Sequence, residues 1–380
     1  MRASQYHQGT MSERRATITD VAREAGVSSS TASVVFSGNA PASAETRRRV
    51  LAAAEALGYT GPDPRAASLR RGRSGIVGVV FGGSLRSAFH DPVTIAMMDG
   101  IAEGVSPLRA GLLLLPDETS PAAPAAGDDG DGDAAGVPST MTSAPIDAAV
   151  LVGFGPTRQP SLDVLRARRV PVVIIEGDAG PDFPRIELDN SAAQQRAATY
   201  LRDLGHERVA LLTLPIRPSR ARGWFGSTDA VEVDVTAARL AGARAVYPDA
   251  PTYAAVTSSI DEGLIAGREI LAGPDRPTAV IAQTDLLAAG VIRAAEECGL
   301  RVPDDLSVTG FDGVEVDGLD AYELTTLVQP AVEKGRAAGA AVVAMLAGED
   351  AASVTFTCSF RIGTTAGPVP RGNPASTGRA

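Results

Sequence analysis

Lysine is almost absent from this chain. Of its thirty-five basic residues all but Lys334 are arginine, a bias that genome composition accounts for as readily as function does. Cysteine is scarce too. Cys298 and Cys358 cannot build a disulfide framework, and His7, His90 and His206 are too scattered to suggest a metal site. No apolar run reaches the length of a membrane span, and the opening MRASQYHQGTMSERR has no apolar signal-peptide core. A cytoplasmic protein without a membrane partner is expected. Catalytic signatures are missing as well. Gly153-Phe-Gly155 runs into Pro-Thr-Arg without the third glycine of a dinucleotide loop, and there is no phosphate loop, no Gly-x-Ser-x-Gly elbow and no His-Glu-x-x-His. His206, in LGHERVALL, reads as a structural residue between a helix and a strand. Neither an enzyme nor a cofactor is expected.

The net charge of −10 taken over 380 residues argues against nucleic acid, but its distribution does not. Residues 1–74 hold eleven Arg against six acids, and the rest of the chain carries the acidic excess. A basic N-terminal module on an acidic body suits one end that meets phosphates. A chain of this length holds more than one domain.

Within the basic module, residues 16–60 read as a helix-turn-helix head. Thr17 caps a first helix, with Asp20 in the capping-box position and Val21, Ala22 and Ala25 facing inward. Gly26 supplies the turn. Ser28 caps a second helix with Ala32, Val35 and Phe36 inward, and Ser43 caps a third, Ala44 to Leu57, with Val50, Leu51, Ala54 and Leu57 on one face. The spacing fits a DNA reader, and it also fits a small helical cap without a ligand. Arg47, Arg48 and Arg49 near the start of the third helix oppose its dipole, which either a phosphate or a solvated surface explains. Residues 61–74, GPDPRAASLRRGRS, form either a solvated linker or a hinge helix, in which Leu69 flanked by Arg could wedge into a minor groove.

Beyond Ser74, short β-branched runs alternate with Ala-rich helical stretches. The runs are 76–81, 111–116, 148–154, 171–177, 208–214, 278–283 and 306–312; the helices include Ser191 to Leu204, Ser258 to Leu271, Leu286 to Cys298 and Ala331 to Leu346. This predicts parallel α/β sheets covered on both faces, over residues 75–366. Residues 117–145, with six acids and no base, predict a disordered insertion; residues 1–15 and 367–380 predict disordered tails. Ligands of such sheets bind beyond the C-terminal strand ends. Glu176, Thr284, Asp285 and Asp312 stand there, and Arg220 lies in the loop after VALLTLP. They suit a polyhydroxylated or heterocyclic small molecule. Asp285 equally fits a helix cap, Arg220 a surface charge, and Asp312 a turn with Gly313.

Taken together, TITDVAREAGVSSSTAS, FSG, SAETRRRVLAAAEALGY and AASLRRGRS resemble the DNA-binding head of LacI/GalR-type bacterial repressors. IELDNSAAQQRAATYLRDLGHERVALL, RARGWF, DRPTAVIAQTDLLAAGVIRAAEECGLRVPDDLSVTGFDG and LTTLVQP resemble their effector core. The resemblance spans Thr17 to about Ile362. It implies a small all-α helix-turn-helix domain, a hinge helix and an α/β two-lobed core like periplasmic binding proteins. It also implies a homodimer on pseudo-palindromic double-stranded operator DNA, and a small-molecule effector in the cleft. The positions matched to DNA contacts are Thr17, Ser28, Ser29, Ser30, Thr31, Ser33, Val34, Ser37, Thr46 and Tyr59 in the head, with Ala66 and Leu69 in the hinge. Those matched to effector contacts are Arg220 and Asp312, with Asp91, Glu176, Thr284, Asp285 and Gln329 beside them.

The chain departs from the family at several of these places. Val34 stands where the family usually has Arg, and Ser37 where it has Asn, so base readout leans on hinge insertion and DNA shape. Val93 and Thr94 replace an aromatic pair often found after Asp91-Pro92. No tetramerising C-terminal heptad is evident. The expectation is a ligand-responsive, DNA-binding transcriptional repressor. The alternatives are a sugar-binding protein without DNA function, against which the basic head argues, and an α/β enzyme using Asp285 or Asp312, which lacks a nucleophile–base pair.

Overall fold

The structure is a computed structural model that describes residues 16–37, 41–61, 72–82, 85–117, 139–153, 155, 159–217, 221–226, 228–273 and 275–369. Two units partition it, residues 1–74 and 75–380.

The first unit is the three-helix head: α1 (Ile18–Ala25), α2 (Ser29–Ser37) and α3 (Ala44–Ala56). The capping box forms as read. Thr17 N–H donates to Asp20 at 3.0 Å and Asp20 N–H returns to Thr17 Oγ1 at 3.4 Å. Gly26 closes α1 at φ 64°, a left-handed conformation that glycine adopts without a Cβ penalty. Ser28 and Ser43 accept from the N–H groups of Thr31 and Thr46, each at 3.1 Å. The core is Val21, Ala22, Ala25, Ala32, Val35, Val50, Ala53 and Ala54, with Phe36 and Tyr59 meeting edge to face beside it. Leu51 and Leu57 are exposed, contrary to expectation. The inward stripe of α3 is 50, 53 and 54; Leu51 falls outside it and Leu57 is already the C-cap.

The second unit has two lobes. The N-lobe sheet has six strands in the order β12-β5-β4-β3-β1-β2. These are β1 (Ile76–Phe81), β2 (Gly111–Pro116), β3 (Ala148–Val152), β4 (Val172–Ile175), β5 (Arg185–Leu188) and β12 (Val354–Phe356). The C-lobe sheet has seven, in the order β13-β11-β10-β9-β6-β8-β7. These are β6 (Val209–Thr213), β7 (Gly223–Phe225), β8 (Thr252–Ala254), β9 (Ala279–Ala282), β10 (Ser307–Asp312), β11 (Thr325–Val328) and β13 (Ser359–Arg361). The N-lobe pairings are parallel; only the edge strands β7 and β13 pair antiparallel. Interior strands read as continuous apolar runs because helices cover both faces.

Helices α4 (Pro92–Val105), α5 (Gln159–Ala167) and α10 (Ala331–Ala347) serve the N-lobe; α6 (Asn190–Asp203), α7 (Asp234–Arg244), α8 (Ile260–Leu271) and α9 (Asp285–Glu297) serve the C-lobe. Among the described residues none is long and apolar enough to cross a membrane. The chain passes between lobes three times, after β5, after β11 and between β12 and β13. Helices α4 and α10 pack backbone to backbone. A Cβ on Gly100 would stand 1.9 Å from Val332 O, and one on Gly335 2.0 Å from Met97 O.

Two expected disordered regions shrink. Asp117 is buried and accepts from Ser161 Oγ at 2.7 Å, and residues 139–143 form a short helix whose Met141 is buried. Arg168 donates to the carbonyls of Met141 and Ala144, tying that helix down. Only 118–138 of the acidic insertion lie outside the described residues. At the C-terminus, Gly367 N–H donates to Ser307 Oγ at 3.0 Å and Val369 N–H to Leu204 O at 3.0 Å, so 367–369 belong to the core. His206 completes that seam. Its ring nitrogens meet Thr278 Oγ1 and Gly367 O, each at 2.9 Å, and burial lowers its pKa. Its role is structural, as read. The expected tails at 1–15 and beyond Val369 fall outside the described residues.

Candidate functional site

The strand ends of the two lobes face one another across an interlobe cleft, and a closed ring of side chains, buried except for the partly exposed Glu176, joins the lobes there. From the N-lobe come Glu176, at the end of β4, and Lys334, on the first turn of α10. Lys334 Nζ donates to Glu176 Oε1 at 2.7 Å and to Gln329 Oε1 at 2.7 Å. Gln329 sits on the crossing from β11 to α10, and its Nε2 donates to Asp312 Oδ1 at 2.7 Å. Asp312 ends β10 in the C-lobe, and Arg239 Nη1 stands 3.5 Å from its Oδ1. Arg239 Nε donates to Asn190 Oδ1 at 2.8 Å, and Asn190, on the crossing from β5 to α6, hydrogen-bonds Glu176. The ring thus joins both lobes through two of the crossings.

Local sequence explains the placement. Glu176 and Asp312 have φ of 55° and 115°, left-handed conformations for non-glycine residues, and each precedes a glycine of positive φ. Such strain persists where the surroundings over-determine it, typically at functional sites. Gly242, one turn beyond Arg239, lets α7 press on α6, since a Cβ there would stand 2.1 Å from Ser191 O. The Arg239 guanidinium carbon lies over the Phe311 ring, 3.6 Å from its centre, and Nη1 also donates to Gln283 O at 2.5 Å. Gln283 is held in turn by Leu214 N–H and Thr236 O.

Electrostatics separate the two carboxylates. Burial alone would raise Glu176, but Lys334 and Arg239, with hydrogen bonds from Lys334 and Asn190, hold it below the usual range. Burial raises Asp312 well above that range. Arg239 and Gln329 oppose the rise, while the charges of Asp285 and Asp91 add to it. At the cleft's edge the Asp178 backbone, in the loop after β4, donates to the Asp234 carboxylate that opens α7.

The remaining expected effector positions have partners of their own. Asp91 caps α4, accepting from Val93 N–H at 3.1 Å and Thr94 Oγ1 at 2.6 Å. Thr284 caps α9 and accepts from Ser258 Oγ at 2.9 Å. Asp285 accepts from Thr326 Oγ1 at 2.5 Å, Gly313 N–H at 2.7 Å and Val314 N–H at 2.8 Å. It anchors the turn that carries Asp312 rather than capping α9, which is Thr284's part. In the head, Thr17, Ser28, Ser29 and Ser30 are exposed, Thr31, Ser33, Val34, Thr46 and Tyr59 are half-buried, and Ser37 ends α2. Ala66, Leu69 and Arg220 lie outside the described residues. Arg49 donates to the carbonyls of Ala25 and Gly26, and Arg48 pairs with Glu45. Two of the three arginines that invited a phosphate therefore have partners inside the head.

Comparison with known proteins agrees with this architecture. Residues 17–61 match the model for "Bacterial regulatory proteins, lacI family", and residues 198–361 that for "Periplasmic binding protein-like domain". The HTH-type transcriptional regulator IpsA of Corynebacterium glutamicum is 31% identical over 93% of this chain and 98% of its own length. The HTH-type transcriptional regulator Rv3575c of Mycobacterium tuberculosis is 33% identical over 86% and 90%. This chain belongs to the lacI family of bacterial regulatory proteins. It is a transcriptional regulator with a helix-turn-helix DNA-binding head and an effector-binding type of core. The solved structure of a LacI-family regulator from C. glutamicum superposes with a TM-score of 0.63 at 26% identity, over 94% of this chain and all of that one. The lac repressor dimer bound to operator superposes with a TM-score of 0.71 over 93% and 99%; at 22% identity it supports the fold.

For this lacI-family regulator the sequence reading missed Arg239, Asn190 and Lys334. Arg239 had a signal. The Arg-x-x-Gly spacing of Arg220 to Gly223 recurs in Arg239 to Gly242, where it lies within α7 (Asp234–Arg244). Arg239 stands beside Asp312, whereas Arg220, the position that the resemblance matches to an effector contact, lies outside the described residues. Asn190 and Lys334 carry no local signal, since their neighbours in the ring are remote in sequence.

Proposed function

We propose that this regulator is a repressor whose operator affinity is set by a small sugar or nucleoside-like effector bound between the lobes. The observation that carries this is the ring between the lobes, which ties Glu176 and Lys334 of one lobe to Asp312 and Arg239 of the other. A ligand that hydrogen-bonds Glu176, Asp312 or Gln329 competes with these contacts and so biases the lobe arrangement. Coupling between distant sites of this kind amounts to about 1–3 kcal/mol. Arg220 contacts the effector as the resemblance implies, Arg239 holds Asp312 in place within the ring, and Asp91, Thr284 and Asp285 complete the site.

In this reading the protein works in the cytoplasm as a homodimer on a pseudo-palindrome. The α2 surface of Ser29, Ser30, Ser33 and Val34 enters the major groove, while Thr17, Ser28, Thr31, Ser37, Thr46 and Tyr59 meet or flank phosphates. Ala66 and Leu69 enter the minor groove at the centre, where partial unstacking is repaid by wrapped contacts. With no arginine on that α2 surface, the head lacks the bidentate guanine contact that discriminates by about 1–3 kcal/mol. Ser and Val leave more of the specificity to shape and to the hinge. A mobility-shift assay with the full-length chain on DNA upstream of its own gene tests the reading: no complex at low salt, with or without sugars and nucleosides, refutes it. Leu69→Ala should weaken the complex markedly; unchanged affinity refutes the wedge.

A further inference from the structure

The chain's one lysine stands in the ring between the lobes, where it looks like a receptor for an anionic ligand. Its contacts say otherwise. Lys334 is 1% exposed, and donors of its ammonium go to Glu176 and Gln329. Arg239 is 3% exposed, donates to Asn190 Oδ1 and Gln283 O, and stands over the Phe311 ring. Both cations are thus enclosed by protein partners. The acidic members are more open. The Glu176 side chain is 17% exposed and the Asp312 side chain 8%. Asp91, near enough for its charge to act on Asp312, stands half-buried at the start of α4. Ligand atoms entering here meet carboxylate lone pairs first.

We propose that the cleft accepts an uncharged, hydroxyl-rich effector and rejects its phosphate monoester, and that Glu176 sets this discrimination by neutralising Lys334. The inference rests on the reading of the cleft as an effector site. Hydroxyl groups donate to Glu176 and Asp312 without disturbing the ring. A phosphate faces carboxylates, and it reaches Lys334 only by displacing Glu176, which leaves a buried carboxylate without its cation. Breaking a buried pair in this way weakens binding by at least about a hundredfold.

The test is thermal-shift and calorimetric titration of the full-length chain. The probes are ribose, glucose, cellobiose and adenosine, the phosphate monoesters of ribose, glucose and adenosine, and inorganic phosphate. At least one uncharged probe should stabilise the wild type. No ester and no inorganic phosphate should do so through Lys334, as judged against Lys334→Gln. In Glu176→Gln the ammonium loses its counter-charge, and inorganic phosphate should bind at least about tenfold more tightly than to the wild type. In Glu176→Gln/Lys334→Gln that gain should vanish. Lys334-dependent preference of the wild type for an ester, stabilisation by none of the uncharged probes, or no gain of phosphate binding in Glu176→Gln each overturns the proposal. If Glu176→Gln does not fold, the wild-type comparison decides by itself. Operator binding is measured in parallel. Its absence defeats the regulator reading, whereas ester selectivity with operator binding intact defeats only the charge rule.

Discussion

Glu176 and Asp312 occupy equivalent places in the two lobes. Each stands at the C-terminal end of the third strand in its sheet's order, β4 and β10, with a left-handed backbone and a glycine after it. Each faces one cation and one amide: Lys334 and Asn190 for Glu176, Arg239 and Gln329 for Asp312. The amides come from equivalent crossings, after β5 and after β11. The lobes thus contribute matching halves to one ring, and lobe rotation strains it at both amides. Four predictions follow from this geometry and from the packing around it.

Removing Arg239 leaves Asp312 buried among other carboxylates without its cation. Arg239→Ala should destabilise the core by about 3–5 kcal/mol, read from urea unfolding of the full chain. It should also abolish any effector response while the head still binds DNA. A response that survives Arg239→Ala and is lost in Arg220→Ala would show that the ligand depends on Arg220 and not on the ring's Arg239.

Buried carboxyls in the ring and in the turn behind it make stability depend on pH. Burial pushes Asp285 up to about 7 and raises Asp312 as well. A carboxyl that binds its proton more tightly folded than unfolded adds stability as pH falls through its folded value, and the gain is complete below the unfolded value of about 4. Glu176, held low, acts in the opposite sense: its contribution is present above its unfolded value and is lost at lower pH. Between about pH 7 and about pH 5 His206, whose pKa burial lowers, loses stability on acidification, but the two raised carboxyls gain it and outweigh the single imidazole. The melting temperature of the core should therefore rise on acidification across that window. Asp285→Asn should flatten the slope, since its amide oxygen can accept from the N–H groups of Gly313 and Val314 with its nitrogen toward Thr326 Oγ1, and the amide does not titrate. An identical slope in the variant would show that other groups govern the window.

The α4–α10 contact has no room for a methyl group. Gly100→Ala and Gly335→Ala should each destabilise the core by about 1–3 kcal/mol or more, since the new Cβ meets backbone that cannot swing away. Gly111→Ala, whose Cβ would meet nothing within 4 Å, is the control and should change little. Urea midpoints measured at constant slope check this.

The head stands on its caps. Ser43→Ala removes the acceptor for Thr46 N–H and should lower head stability by about 1 kcal/mol. Arg49→Ala exposes the C-terminal carbonyls of α1 and should do likewise. Hydrogen exchange of amides in α1 and α3 reads both. Exchange unchanged from wild type would mean that the apolar cluster around Val21 and Val50 alone holds the head.

Local rules were enough for much of this protein. The capping box at Thr17, the left-handed Gly26 and the caps at Ser28 and Ser43 follow from side chains within three residues of each other, so sequence alone places α1 to α3. The apolar runs that became β1, β3, β4, β6, β9 and β10 are legible because strands covered on both faces leave no polar alternation. The same runs put Glu176 and Asp312 at strand ends, and the family resemblance added Gln329 as an effector position. What the tertiary structure decided is which groups meet. Lys334 and Glu176 are 158 residues apart in the chain, and Arg239 and Asn190 are 49 apart. No periodicity or spacing links residues that sheet order and lobe crossings bring together. Only the packed structure identifies Arg239 as the arginine beside Asp312, assigns Asp285 to the turn behind it, and turns a lone lysine into the counter-ion of Glu176. Caps and runs are governed by short-range hydrogen bonds and burial, whereas a buried ion pair exists only once the fold has excluded water from both partners.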